Sequence, residues 1–239
     1  MPNIRLGRGA IPTPRYLLAG ATPHKPLKSH PKEHITLPKK ISFWGNYSDG
    51  DCVTAEEAFA KTCHHPEIFV QDQEVTAWAN QHGVLQGANL VEVMNWMVAG
   101  GFAQNGKTFD DGGHLSVDWH DANILESAIS EGPVKLGIGA NQLENLWWAN
   151  GGSASGGKNG WFAVNFGPET TEDHCVSLCG YGSIHWLAGK LSAHVPANVD
   201  GSKPGYAMFT WDSIGIIDVP SMLNITYEAW LRHPTTIVH

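Results

Sequence analysis

The chain has 239 residues, of which 42% are hydrophobic and 16% are charged, and its formal net charge is −8. This composition is typical of a globular protein that is long enough to bury a large core. An acidic chain argues against nucleic acid as a partner, and no apolar run is long enough to cross a bilayer. We therefore expect neither a nucleic-acid partner nor a membrane partner.

The charge is divided unevenly along the chain. Residues 1–40 hold eight basic residues and one acidic residue, which gives +7, while the other 199 residues hold seven basic and 22 acidic residues, which gives −15. Seven prolines exclude long helices from residues 1–40. We interpret this segment as a basic N-terminal arm that binds an acidic surface. It crosses its own domain or binds a neighbouring copy, and we favour the neighbour, which predicts a homo-oligomer or larger assembly.

Residues 41–239 are predicted to contain helices first and strands later. Helical spacing of apolar residues predicts helices over 52–62, 71–81, 89–99 and 121–131. Alternating or continuous apolar runs predict strands over 133–139, 161–165, 174–179 and 206–211. This order indicates an α+β fold with two lobes rather than a doubly wound sheet.

One cysteine stands where the first of these helices begins. Asp51 is a plausible N-cap, and Cys52 follows it. Backbone amides at a helix N-terminus favour negative charge and lower a thiol pKa, so Cys52 is a candidate nucleophile. The simpler interpretation is a buried, unreactive thiol. Neighbouring acidic residues oppose a low thiol pKa, and a nucleophile needs a base.

Among 13 histidines, His174 is the best candidate for that base. It opens an apolar strand and therefore lies at a rim where lobes can meet, whereas His64 and His65 are better explained as a solvated turn than as metal ligands. Asp212 ends another predicted strand. Cys52, His174 and Asp212 thus supply a nucleophile, a base and an orienting carboxylate. No metal site and no cofactor is predicted.

Several segments of residues 37–216 resemble the papain-like cysteine peptidases. The segment DHCVSLCGYG at 173–182 is similar to that family's histidine motif, and Asn46 stands six residues before Cys52, where the family has glutamine. The segments EGPVKLGI at 131–138 and LWWANGG at 146–152 are similar to the family's intervening segments.

The resemblance implies a papain-like two-lobed fold, with a helical lobe at about 41–112, a β-rich lobe at about 113–239 and a cleft between them. It implies that Cys52 is the nucleophile, His174 the base, and Asp212 the orienting group where the family has asparagine. Asn46 and the Cys52 backbone amide would bind the oxyanion. Gly87, Ala88 and Val134 would line the substrate-binding cleft.

The implied function is thiol-dependent hydrolysis of a peptide or amide bond through a Cys-His-Asp triad, with a peptide or protein as substrate. The sequence departs from the family at Asn46, Asp212 and the residues after Cys52. The alternative is therefore a catalytically weak papain-like domain that serves as an interaction or assembly subunit, anchored by its arm. The family's disulfide cysteines are missing and no apolar signal segment opens the chain, so we expect reduced thiols and a cytoplasmic location.

Overall fold

The structure is a computed structural model that describes residues 6–239. Its helices are α1 (Arg15–Gly20), α2 (Cys52–Thr62), α3 (Asp72–Gln81), α4 (Leu90–Ala99), α5 (Ala122–Glu131), α6 (Asn141–Ala149), α7 (Ile184–Lys190) and α8 (Val219–Ile225). Its strands are β1 (His34–Ile35), β2 (Phe102–Gln104), β3 (Lys107–Asp110), β4 (His114–Ser116), β5 (Val134–Ile138), β6 (Phe162–Ala163), β7 (His174–Ser183), β8 (Pro204–Thr210), β9 (Ser213–Asp218), β10 (Thr226–Arg232) and β11 (Thr236–Val238).

The large sheet has the order β4-β10-β5-β7-β8-β9-β6, and β1 of the arm also pairs with β7. Every pair in it is antiparallel except β6 with β9. His174, the first residue of β7, lies opposite Ile138, the last residue of β5. The register therefore places the histidine at the end of two central strands.

The helical part of the chain packs on this sheet through α2. Ten of the eleven α2 residues are buried, and Phe59 of α2 stacks on Phe209 of β8 with ring centroids 4.0 Å apart. Helices α3 and α4 join the same apolar core, whereas α5, α6 and α8 contribute to a second core that includes the other face of the sheet. This order of helices and strands agrees with the predicted α+β layout of two lobes. No helix within residues 6–239 is long and apolar enough to cross a membrane.

A buried ion cluster joins α2 to the sheet. It consists of Glu56, Glu57, Lys61, Asp111, Lys135 and Arg232. Lys135 of β5 pairs with both glutamates, and so does Arg232 of β10. Each of these six residues has at most 8% of its surface exposed. The cluster explains how a helix with three charged residues can be buried on almost every side, since each charge has a partner of opposite sign.

The described part of the arm lies on its own chain. The amide of His24 donates to the Ser116 carbonyl (2.7 Å), and the amide of Thr36 donates to the Cys179 carbonyl (2.8 Å). Within residues 6–40 the short α1 is the arm's one helix, in agreement with the exclusion of long helices. Binding of the arm to a neighbouring copy remains a prediction.

Candidate active site

Cys52 lies at the first position of α2, where the sequence predicted it. Its side chain is 1% exposed, and its sulfur accepts a hydrogen bond from the backbone N–H of Gly9 in the arm (3.4 Å). Asp51 occupies the N-cap position, as predicted, but its side chain makes no capping hydrogen bond. Both Asp51 carboxyl oxygens are buried without a hydrogen-bond partner, and burial together with Asp49 raises the pKa of Asp51 to about 8. Thus Asp51 is mostly protonated at neutral pH.

His174 is held by two residues at the end of β8. Its Nε2 lies 2.8 Å from the hydroxyl oxygen of Thr210, and its ring stacks on Trp211 with centroids 4.2 Å apart and planes inclined by 17°. The other ring nitrogen, Nδ1, is buried and has no hydrogen-bond partner. No hydrogen bond joins the Cys52 sulfur to the His174 ring, and Nδ1 is the imidazole nitrogen that is left free to form one.

Asp212 does not orient His174, which corrects the prediction. Thr210 pairs with Ser213 across the β8–β9 hairpin, and Trp211 and Asp212 form its turn with φ angles of 41° and 56°. The turn directs the Asp212 carboxyl toward the loop at Gly156, where an added Cβ would lie 2.9 Å from Asp212 Oδ2. Burial and Asp72 raise the pKa of Asp212 to about 7. The side chain that contacts the imidazole is that of Thr210, two residues earlier, which sequence reasoning missed.

Asn46 lies where a carbonyl oxygen is bound. Its side-chain N–H donates to the backbone carbonyl of Gly7 (2.8 Å), and the indole N–H of Trp211 donates to the same oxygen (3.3 Å). This carbonyl belongs to the residue two before Gly9, whose amide donates to the Cys52 sulfur. Two N–H donors on one carbonyl oxygen form the kind of site that stabilises an oxyanion. The predicted role of Asn46 fits this geometry, and Trp211 is a second donor that the sequence did not reveal.

Of the three predicted cleft residues, the structure brings two to the arm. Ala88 accepts from the Ile11 amide and donates to the Gly9 carbonyl, both at 2.9 Å. A Cβ on Gly87 would lie 2.9 Å from that same Gly9 carbonyl oxygen. Val134, in contrast, is fully buried in the second core. It lies four residues from Ile138, the partner of His174, and at about 3.4 Å per residue this is too far to line the cleft.

The arm occupies this site through its backbone. A Cβ on Gly7 would lie 1.6 Å from the Asp49 carbonyl oxygen, and a Cβ on Gly9 would lie 1.9 Å from that of Gly50. Only glycine permits so close an approach. Arg8, between them, pairs with Asp173 (2.9 Å) and Glu144 (3.3 Å). Residues 6–11 therefore fill the cleft next to Cys52, so this part of the arm crosses its own domain, which is the less favoured of the two arrangements considered from the sequence.

This arrangement keeps both reactive side chains uncharged. Burial raises the pKa of the Cys52 thiol to about 12, and the hydrogen bond from Gly9 offsets only part of that effect. Burial, and then the positive charge of Arg8, lowers the pKa of His174 well below its usual value. At neutral pH the pair is thus a thiol and a neutral imidazole. Within residues 6–239, no group of three or more histidine, cysteine, aspartate or glutamate residues is arranged to hold a metal ion.

The chain was compared with known proteins. Neither a protein-family model nor a curated protein sequence matches it. Solved structures do match. A digestive procathepsin L2 proteinase from Tenebrio molitor has a TM-score of 0.65 at 14% identity, covering 98% of this chain and 80% of the other. Xylellain, a cysteine protease from Xylella fastidiosa, has a TM-score of 0.63 at 14% identity, covering 96% of each chain. The proform of the ragweed pollen cysteine protease Amb a 11 has a TM-score of 0.62 at 11% identity, covering 92% of this chain and 72% of the other.

These matches show the class of fold. The chain has the papain-like fold found in cysteine proteases, over almost its whole length. At identities of 11–14% the similarity concerns the fold and carries no assignment of activity. What the site does must therefore be argued from its own residues.

Proposed function

We propose that the protein is a thiol-dependent hydrolase of peptide or amide bonds that is closed by its own residues 6–11. The observation that carries the proposal is the Gly7 carbonyl, which accepts N–H bonds from both Asn46 and Trp211 beside the Cys52 thiol. A substrate carbonyl in the same place would be polarised and close to a nucleophile. Two of the structural neighbours are described as a procathepsin and a proform, and these names agree with a closed form.

Each side chain has a role in this mechanism. With the arm displaced, His174 Nδ1 takes the proton of Cys52, and the thiolate sulfur forms a bond to the substrate carbonyl carbon. Asn46 and Trp211 stabilise the oxyanion. His174 then donates its proton to the leaving amine as the C–N bond breaks, and it later takes a proton from the water that hydrolyses the thioester. Thr210 and Trp211 keep the imidazole in position throughout.

The closed form suppresses this chemistry in two ways. The arm fills the place of the substrate, and it removes water from the thiol. At a pKa of about 12, only about one thiol in 100,000 is ionised at pH 7. Displacement of the arm would return water to Cys52 and would also remove Arg8 from the neighbourhood of His174. Both changes favour the thiolate–imidazolium pair.

Peptide cleavage by an arm-displaced full-length chain tests the proposal. The Gly9→Ala variant places a methyl group 1.9 Å from the Gly50 carbonyl oxygen, so residues 7–9 must leave their present position. We expect it to cleave a mixed peptide library, whereas the original chain cleaves the library at least tenfold more slowly. Adding Cys52→Ser should abolish cleavage, as detected by mass spectrometry of the products.

Gly20→Ala is the matched control, since nothing lies within 4 Å of a Cβ at that arm position. It should behave like the original chain. Limited proteolysis of the arm reports displacement independently of activity. A Gly9→Ala chain whose arm is cut rapidly but which cleaves no peptide would refute the hydrolase proposal and favour the catalytically weak assembly subunit.

The position of the orienting group gives another prediction. In the Gly9→Ala background, Thr210→Val removes the hydroxyl that holds His174 Nε2, so we expect about a tenfold loss of kcat and an altered pH profile. Asp212→Asn should change activity less than twofold at neutral pH, because that carboxyl does not contact the imidazole. Steady-state peptide hydrolysis between pH 5 and 9 measures both. The opposite ranking of the two variants would restore Asp212 as the partner.

A further inference from the structure

Two glutamate side chains meet beneath the arm, close to His174. Glu172 lies two residues before the histidine, and Glu228 of β10 lies opposite Gly137 of β5. A Cβ on Gly137 would lie 2.0 Å from Glu172 Oε1 and 2.9 Å from Glu228 Cγ. The missing side chain of Gly137 thus leaves the room that both glutamates use. They are 6% and 3% exposed, and we call them the acidic pair.

The acidic pair has no cation of its own. Neither glutamate takes part in an ion pair within residues 6–239, and Glu172 Oε1 is buried without a hydrogen-bond partner. Burial, Glu228 and Asp173 raise the pKa of Glu172 to about 9. Glu172 therefore keeps its proton at neutral pH, since a buried carboxyl group that has no cation and lies beside a second carboxyl group is costly to ionise.

The described polar groups around the acidic pair do not supply it with a positive charge. The indole N–H of Trp230 donates to Glu228 Oε2 (2.6 Å), and the Tyr227 hydroxyl donates to the Glu169 carbonyl rather than to the pair. Arg8, the nearby guanidinium, is bound to Asp173 and Glu144. A buried acidic site of this kind, with one oxygen free, is suited to a cation that comes from outside the domain.

The arm now covers the acidic pair. The backbone N–H of Thr13 donates to Glu228 Oε1 (3.2 Å), and the Thr13 hydroxyl oxygen is buried without a hydrogen-bond partner. Residues 10–13 of the arm therefore run from Ala88 at the cleft to Glu228. These residues fit the site poorly, because they provide one neutral hydrogen-bond donor to two carboxyl groups.

A cavity of about 450 Å³ continues from Glu228. Its walls include the aromatic side chains Trp119, Tyr227 and Trp230, and the arm residues Leu18 and Pro23 also line it. Aromatic faces accept the apolar stem and the planar guanidinium of arginine. When the arm is displaced, this cavity and the acidic pair become accessible together.

We propose that the acidic pair binds the cationic side chain of a substrate peptide, so that the site prefers peptides with arginine or lysine close to the scissile bond. This inference rests on the proposed function, since it assigns a substrate class to the same cleft. The guanidinium replaces the proton on Glu172, which is released to the solvent, and forms charge-assisted hydrogen bonds to both glutamates.

Peptide binding, measured without catalysis, tests the inference. The full-length Gly9→Ala/Cys52→Ala chain is titrated with pentapeptides that carry one arginine at each position in turn, and with matched peptides that carry citrulline, which is neutral and nearly the same shape. We expect at least one arginine peptide to bind more than tenfold more tightly than its citrulline match. Calorimetry in two buffers should show proton release with that arginine peptide alone.

Glu172→Gln/Glu228→Gln is the matched variant, because it keeps the shape and removes the charge. It should bring the affinities for the arginine and citrulline peptides within twofold of each other. If that double variant does not fold, Glu172→Gln alone should abolish the proton release. Equal binding of arginine and citrulline peptides by the starting chain, or an unchanged preference after the glutamine substitutions, would overturn the inference.

The two proposals fail separately. A chain that prefers arginine peptides but, with Cys52 restored, cleaves none of them would contradict the hydrolase proposal and leave the acidic pair as a binding site. A chain that cleaves peptides without regard to arginine would contradict the inference about the acidic pair and support the hydrolase proposal.

Discussion

Replacement of Lys135 by methionine is expected to lower the free energy of unfolding by about 3–5 kcal/mol. Lys135 is fully buried and pairs with Glu56 and Glu57 in the buried ion cluster. Methionine fills a similar volume but carries no charge. Among the described residues, Arg232 would then be the remaining ion-pair partner of the buried Glu56 and Glu57 carboxylates. Although burial acts in the opposite direction, Glu57 and Glu56 raise the pKa of Lys135 to about 12, so the lysine is charged in the folded protein at neutral pH.

Urea unfolding followed by tryptophan fluorescence measures the loss. Lys107→Met is the matched control, since Lys107 is exposed and takes part in no ion pair within residues 6–239; it should change stability by less than about 0.5 kcal/mol. A loss below 1 kcal/mol for Lys135→Met would mean that water enters the cluster and replaces the lysine.

The same cluster has a defined pH dependence. Burial opposes the effect, but Arg232 and Lys135 lower the pKa of Glu57 to about 2. A carboxyl group whose pKa is lower in the folded state adds stability above its unfolded pKa, and this stability is lost as the pH falls toward 2. The interaction is therefore fully present at neutral pH, which is where the Lys135→Met comparison should be made.

The amphipathic helices could be predicted from the sequence. Residues 52–62 were predicted and α2 spans Cys52–Thr62, while 89–99 were predicted and α4 spans Leu90–Ala99. In α4 one apolar face meets the core, so burial follows the helical period. In α2 the apolar residues follow the same period, although the helix is buried on almost every side. Local pattern and tertiary packing agree, and the boundaries are accurate.

Strand β10 and the hydrogen-bond partner of His174 could not be predicted in the same way. β10 has the sequence TYEAWLR, and both of its charged residues are buried. Arg232 is buried against Glu56 and Glu57 of α2, and Glu228 is buried beneath Thr13 of the arm. Such long-range pairing leaves no alternation to detect. Asp212 was chosen because it ends a predicted strand and stands where the family has asparagine. The β8–β9 turn, however, directs its side chain away from the imidazole and leaves Thr210 beside the ring.

The sequence predicted that the arm binds an acidic surface but did not predict its path through the cleft. Its charge of +7 against an acidic body predicted binding, and Arg8 does pair with Asp173 and Glu144. The close packing of the arm backbone in the cleft, however, is possible only because Gly7 and Gly9 have no side chains. Close backbone approach between segments more than 40 residues apart has no local signature, because a glycine in a loop is common for many reasons.

These glycines allow a direct test of how the arm controls the thiol. In the full-length Gly7→Ala/Gly9→Ala chain we expect the pKa of Cys52 to fall from about 12 to about 8.5 or lower, the range of a solvated thiol or of one assisted by a histidine. The thiolate fraction at pH 7 then rises by more than three orders of magnitude. Since a less basic thiolate is also less nucleophilic, with a Brønsted coefficient of about 0.4–0.5, the labelling rate should rise by about a hundredfold.

The rate of iodoacetamide labelling of Cys52 between pH 5 and 10, followed by peptide mapping, measures this change. Mapping is needed because Cys63, Cys175 and Cys179 are also free thiols. Gly20→Ala should retain the slow labelling of the original chain. Adding His174→Ala to the arm-displaced chain should move the inflection of the profile upward toward pH 8.5, because the imidazolium no longer stabilises the thiolate. If labelling accelerates equally with and without His174, the arm covers a passive thiol, and the histidine is not its base.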